Sequence, residues 1–184
     1  MFGSLPEALE VGGREIPINS DFRNVLTIFE AFEDPVLTNQ EKAYICICRL
    51  YAEPVEIRFM EEAIRKAYWF CNGGDMPKSK PEAKVLDWKQ DEHIMMPAVS
   101  RTLGVTDVRS LPYLHWWSFL GAFGETGEGL FTEVLHIRNK LARGKKLDKT
   151  EKEFLKRNRY LIKFRSQEDD TALAETEEFL KTLI

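Results

Sequence analysis

Glu133 and His136 stand three residues apart, the E-x-x-H spacing that lets a carboxylate and an imidazole on one helix reach a single metal ion. Helical-bundle metal sites of that type need a second such pair, and the sequence holds none. His93 directly follows Glu92, and His115 is preceded by Tyr113 and Leu114. A core or surface histidine is the commoner role, so no metal is expected. Asp91-Glu92-His93 is a dense acid–base cluster, but successive residues on a helix point in different directions and do not converge on one substrate. A polar helix face is the simpler reading. No serine sits in a G-x-S-x-G frame. The glycine-rich stretch Gly121 to Gly129 lacks the Lys-Ser/Thr of a phosphate loop, and its Glu125 and Glu128 would repel phosphate, so it reads as a flexible connection. Cys46, Cys48 and Cys71 form neither a C-x-x-C motif nor an even disulfide set, and are expected to be reduced and mostly buried. A cysteine–histidine pair has nothing local to promote it. Catalytic residues and cofactors are therefore not expected.

The remaining candidates are surfaces. Residues 138–165 contain 12 Lys and Arg against 3 Asp and Glu, while 166–184 contain 6 acids and one Lys. With a net charge of −4 for the whole chain, a basic segment lies between two acidic ones. That asymmetry suits a charged binding surface, or a tail that folds back on the basic stretch. Lys152, Lys156, Arg159 and Lys163 share one face if a single helix continues through them. Leu173, Phe179, Leu180 and Leu183 give the acidic end an amphipathic character. These eight residues are the expected protein-binding set. The basic run has few aromatics for stacking and no groove-reading motif, so nucleic acid is the less favoured partner. His115-Trp116-Trp117 suits an interface, but in so apolar a segment a core position is favoured, with one tryptophan free to reach the surface.

The elements that must position these residues are mainly helices. The 184 residues, 43% hydrophobic and 30% charged, fit a globular domain able to bury a core. No apolar run approaches the length of a membrane span, and the start of the sequence has no basic leader followed by an apolar stretch, so neither membrane insertion nor secretion is expected. Leu9 and Val11, then Gly12-Gly13, then Ile16 and Ile18 predict a two-residue hairpin that sets Leu9 opposite Ile16 and gathers four apolar residues on one face. Asn19, Ser20 or Asp21 caps a helix carrying Phe22, Val25, Leu26, Phe29 and Phe32. Thr38 to Glu41 reads as a capping box for a helix ending before Pro54. A third helix carries Ile57, Met60, Ile64, Ala67 and Cys71, ended by Asn72-Gly73-Gly74. Residues 73–81 are expected to be an exposed loop and a hinge. A helix over 88–103 should kink or split at Pro97. A buried helix spans 111–120. Another carries Leu130, Val134, Ile137 and Leu141, and Asp148 to Glu151 caps a last one burying Phe154, Leu155, Leu161 and Ile162. The predicted fold class is thus mainly α, a multi-helix single domain over 1–165 with a short N-terminal β-hairpin, followed by an acidic amphipathic segment at 166–184.

Three stretches resemble a bacteriophage family named for gene product fifteen, found in long-tailed phages and prophages of Gram-positive bacteria. They are Gly13 to Arg23, a hairpin running into an Asp-Phe-Arg helix start; Leu86 to Glu92 with His115 to Leu120 downstream; and Ile137 to Lys140 through Gly144 to Phe154. The resemblance covers nearly the whole chain in order, with the acidic end and Pro97 least matched. It implies a tail-module protein encoded near the tape-measure gene. Its role would be that of a tail-assembly chaperone, partnered by the tape-measure protein and other tail-assembly proteins in the host cytoplasm. Such a protein is usually absent from the finished particle, and self-association is compatible with it. A structural virion or connector component is the alternative, and a nucleic-acid-binding helical protein a third. The resemblance supplies no catalytic residues.

Overall fold

The computed structural model of the chain describes residues 4–76 and 83–165. The architecture is mainly α with one two-stranded antiparallel hairpin, as spacing and composition predict. By their internal contacts the described residues form two compact units, 4–76 with 93–129, and 83–92 with 130–165. Most of the expected 73–81 hinge, and all of 166–184, lie outside the described residues.

The first unit opens with β1 (Ala8–Val11) and β2 (Arg14–Pro17). Leu9 faces Ile16, and Leu9, Val11, Ile16 and Ile18 are all buried. Gly12 and Gly13 have φ of 60° and 76°, the left-handed values this turn needs. A Cβ on Gly12 would lie 2.5 Å from the Phe59 ring, so the turn packs against the following helical segment at a point where only hydrogen fits.

Helix α1 (Phe22–Glu33) begins at Asp21, whose carboxylate accepts from the Arg23 amide. Helix α2 (Asn39–Leu50) starts at Thr38 with a complete capping box to Glu41. A 3₁₀ turn (Ile57–Phe59) leads into α3 (Met60–Cys71), which buries Ala63, Ala67, Phe70 and Cys71. The inward stripe here is rotated from the predicted one: Ile57 is 89% exposed and Ile64 38%. Small alanines let α3 lie close to its neighbours, and β-branched isoleucine is left outside.

Helix α4 (Glu92–Leu103) starts later than predicted, because residues 88–91 form a turn; it then runs through Pro97 without a break. Proline removes only the one bond to the His93 carbonyl. Helix α5 (Trp116–Gly124) also starts late. Residues 111–114 are not helical, and the end of this segment pairs with the lead-in to α1. Phe22 N donates to Leu114 O (3.0 Å), Trp116 N to Ser20 O (2.7 Å), and Ser20 Oγ meets Tyr113 OH (2.8 Å). Phe22 stacks on Phe119 with ring centres 4.8 Å apart, and Trp116 is fully buried beside Phe119 and Phe29.

The second unit contains α6 (Leu130–Ala142), α7 (Lys149–Arg157) and α8 (Arg159–Ile162). The buried face of α6 is Phe131, Val134, Ile137 and Arg138, with the predicted Leu130 and Leu141 exposed. Arg138 is the centre of this unit. Its guanidinium donates twice to Asp91 (2.6 and 2.9 Å), and to the carbonyls of Val85 (3.1 Å), Ile162 (3.1 Å) and Leu161. All five N–H groups that arginine offers are thereby used. The Phe164 ring lies 4.2 Å from the guanidinium carbon. Both ends of the ion pair are buried, with side chains 2% and 1% exposed. Asp91 therefore does not lie on the polar helix face expected of it. It closes a turn in which its carboxylate also accepts from Asp87 N (3.0 Å).

A buried ion pair of this kind punishes loss of one partner far more than exchange of both. Lysine keeps the charge but cannot fill the fork or reach three carbonyls at once. Arg138→Lys is expected to destabilise the chain by about 2–4 kcal/mol in urea unfolding, against less than about 0.5 kcal/mol for Arg157→Lys on the exposed side of α7. Equal effects would contradict the assignment.

Candidate functional site

The side chains that suggested chemistry are mostly engaged in holding the backbone. His115 Nδ1 accepts from the Trp117 amide (3.0 Å) and so caps α5. A main-chain amide can only donate, so Nδ1 carries no proton, and Nε2–H donates to the Pro6 carbonyl (3.0 Å). The indole of Trp116 donates to Cys71 O (2.8 Å) and that of Trp117 to Phe70 O (2.9 Å), both at the C-terminal end of α3. Trp116 takes the expected core position, and Trp117 is the one that reaches partly to the surface. Cys46 and Cys71 are buried against each other, where their hydrogen bond and burial push the Cys71 thiol up; Cys48 is exposed.

Asp21 collects another such cluster. Arg23 donates to its carboxylate (2.7 and 2.8 Å) and to the carbonyls of Arg109, Leu111 and Pro112 (3.2, 2.8 and 3.2 Å). Leu114 N also donates to Asp21 (3.2 Å). Burial raises this carboxyl, but the guanidinium and the two amides outweigh it and hold it below the usual carboxylate range.

In the second unit His136 does not pair with Glu133 toward a metal. Its Nε2 lies 2.9 Å from Glu151, whose carboxylate also accepts from Lys140 (2.5 and 2.7 Å) and from Asp148 N (2.7 Å). Glu151 N donates back to Asp148 (2.9 Å), completing the predicted capping box. Lys140, the Asp148 amide and His136 together lower the Glu151 carboxyl to about 2. Among the described residues no group of three or more His, Cys, Asp and Glu is placed to hold a metal ion. His93 is exposed on the first turn of α4.

What is left for an outside partner is surface. Lys152, Lys156, Arg159 and Lys163 are all exposed, but not on one continuous helix. The chain breaks at Asn158, whose φ and ψ of −116° and 30° separate α7 from α8, while its side chain donates to Phe154 O (3.1 Å). Lys152 and Lys156 therefore belong to α7, Arg159 begins α8, and Lys163 follows its end. Asparagine competes for helix carbonyls in this way because its amide is short and polar. Arg143, Lys145, Lys146, Lys149, Arg157 and Arg165 add to the exposed cations, and none of these ten side chains has an ion-pair partner among the described residues. Arg138 and Lys140, at the start of the basic run, are removed from it by Asp91 and Glu151. Leu173, Phe179, Leu180 and Leu183 lie outside the described residues. Helices of the first unit also expose apolar side chains that the sequence reading placed inward or overlooked, among them Tyr44 on α2, at 68%, with Ile64 and Tyr68 one turn apart on α3.

Compared with known proteins, residues 1–164 match the family described as Bacteriophage Gp15 protein. The chain belongs to that family of bacteriophage proteins. The match ends where the acidic segment begins. No curated protein and no solved structure matches the chain. Among the described residues, no helix is long and apolar enough to cross a membrane.

Glu151 makes the link between α6 and α7 sensitive to acid. Its folded value of about 2 lies below the ordinary 4.5, so its contribution is complete above about pH 4.5 and disappears as pH falls toward 2. Thermal unfolding of Glu151→Gln against the parent chain should show the largest deficit at neutral pH and a shrinking one between pH 4.5 and pH 2. A deficit independent of pH would remove Lys140 and His136 as the cause.

Proposed function

We propose that this phage protein is a non-enzymatic tail-assembly factor, a chaperone that binds the tape-measure protein during tail morphogenesis in the host cytoplasm. The observation that supports it best is the exposed cationic surface of α6 to α8, centred on Lys152, Lys156, Arg159 and Lys163, with no acidic partner among the described residues. Side chains kept charged and extended in water without an internal counterpart suit an acidic or amphipathic polypeptide. The exposed Tyr44, Ile64 and Tyr68 add apolar helix surface of the kind a helical partner covers. The side chains otherwise suited to catalysis, His115 and Asp91, are already committed to the backbone and to Arg138.

Co-expression with the tape-measure protein of the same phage should yield a soluble complex. Reversing Lys152, Lys156, Arg159 and Lys163 to glutamate should weaken it about tenfold or more, and more steeply at low salt. A tape-measure protein that stays insoluble or unbound in the presence of the parent chain contradicts the reading. Retention of the chain in purified particles would reassign it to the virion, and tight DNA binding that collapses with salt would reassign the surface to nucleic acid.

A further inference from the structure

Antiparallel pairing sends the main-chain groups of alternate residues to opposite sides of a strand. In the hairpin Ile18 N donates to Glu7 O (2.9 Å), and the register sets Leu9 opposite Ile16 and Val11 opposite Arg14. Leu9 and Val11 therefore direct N–H and C=O at β2, while Ala8 and Glu10 direct theirs away from it. The far side of β2 is taken, since Ala52 N donates to Pro17 O (2.9 Å) and Ile18 bridges Tyr51. The far side of β1 is not. Among the described residues, the outward N–H and C=O of Ala8 and Glu10 have no hydrogen-bond partner.

Helix α3 flanks β1 without closing this edge. An open cavity of about 390 Å³ is lined by Ala8 and Glu10 of the strand, by Arg65, Lys66 and Trp69 of the helix, and by Met76. Its floor is rigid. Trp69 stands edge-on to Trp117 with ring centres 5.3 Å apart, and Trp117 is held by its bond to Phe70 O. Arg65 is exposed and Lys66 half-buried, and neither has an ion-pair partner among the described residues. Of the residues that line the cavity, two are cations and one, Glu10, is a carboxylate.

We propose that this edge is a β-augmentation site for an extended, acidic segment of a partner protein. The segment adds as a third strand beside β1, bonding to the main chain of Ala8 and Glu10. One apolar side chain fills the cavity against Trp69 and Met76, and acidic neighbours meet Arg65 and Lys66. Main-chain bonds supply affinity in this mode and side-chain pockets supply selectivity. A second copy of the chain is a poorer occupant, because its own edge offers the same two cations and one carboxylate. The proposal is separate from the tape-measure reading, which uses helix surface on other residues.

The test uses the full chain, ¹⁵N-labelled, and a short blocked peptide in which glutamate and valine alternate about a central phenylalanine. The expected result is movement of the Ala8 and Glu10 amide resonances, with slowed hydrogen exchange at both. An Arg65→Glu, Lys66→Glu variant, checked for an unchanged spectrum elsewhere, should bind this peptide about tenfold more weakly or worse. A peptide with lysine in place of glutamate should show the opposite preference. N-methylation of the peptide amides that face β1 should abolish binding. Four results would overturn the proposal: no shift at Ala8 and Glu10, equal binding of the acidic and basic peptides, unchanged binding of the N-methylated peptide, or dimerisation of the chain through this edge. In the first case the two cations merely guard an edge strand against unwanted pairing.

Discussion

Every helix end leaves main-chain groups without a partner inside the helix. In a chain whose longest described helix is the 13-residue α6, such ends recur throughout the fold and each must be met from elsewhere. The carbonyls that close α3 receive the indoles of Trp116 and Trp117. Those that close α8 receive Arg138. The end of α1 receives Lys42 at Phe32 O (2.8 Å), and Arg49 O near the end of α2 receives Asn19 and Asn24 (3.0 and 2.9 Å). Leaving such groups unmet inside a protein costs about 1–3 kcal/mol each, comparable to a large share of the stability of a small domain. The placement of polar residues is dominated by this requirement.

The same requirement accounts for several side chains of this chain whose types and spacing could suggest chemistry. A histidine followed by two tryptophans, an acid–base triplet and an E-x-x-H spacing all occur in it. The histidine is an N-cap, the aspartate of the triplet is the counter-ion of a buried arginine, and the histidine of the E-x-x-H is tied to Glu151 on another helix. Among the described residues, the cations of α7 and α8 are exposed, as are apolar side chains such as Ile64 and Tyr68 on α3. Surface of that composition suits the recognition of another chain, as proposed above, and the chain belongs to a family of bacteriophage proteins.

Much of the fold was legible in local signals. Gly12-Gly13 fixed the hairpin and its register, Thr38 with Glu41 and Asp148 with Glu151 fixed two helix starts, and Asn72-Gly73 closed α3 where expected. Apolar spacing was less reliable by one position on α3 and α6, because alanine and arginine took buried places there that a hydrophobicity pattern assigns to isoleucine and leucine. The break at Asn158 and the late starts of α4 and α5 depend on side chains that compete with the helix or reach across to another segment. The Arg138–Asp91 pair spans 47 residues and was invisible to any local rule. Its one available hint was an arginine three and four residues from apolar positions on its own helix, a pattern that a surface cation also shows. The exposed basic residues were legible as a group, though not as one straight face.

Commitment of a side chain suited to chemistry to a helix end is sharpest at His115. Long-range ¹H–¹⁵N correlation of the imidazole nitrogens tests it directly. The structure predicts a single tautomer, protonated at Nε2 and with Nδ1 in the unprotonated acceptor form, unchanged by addition of metal ions. A protonated Nδ1, or exchange between tautomers as in an open active site, would mean that the ring does not cap α5 and would return His115 to the list of reactive groups.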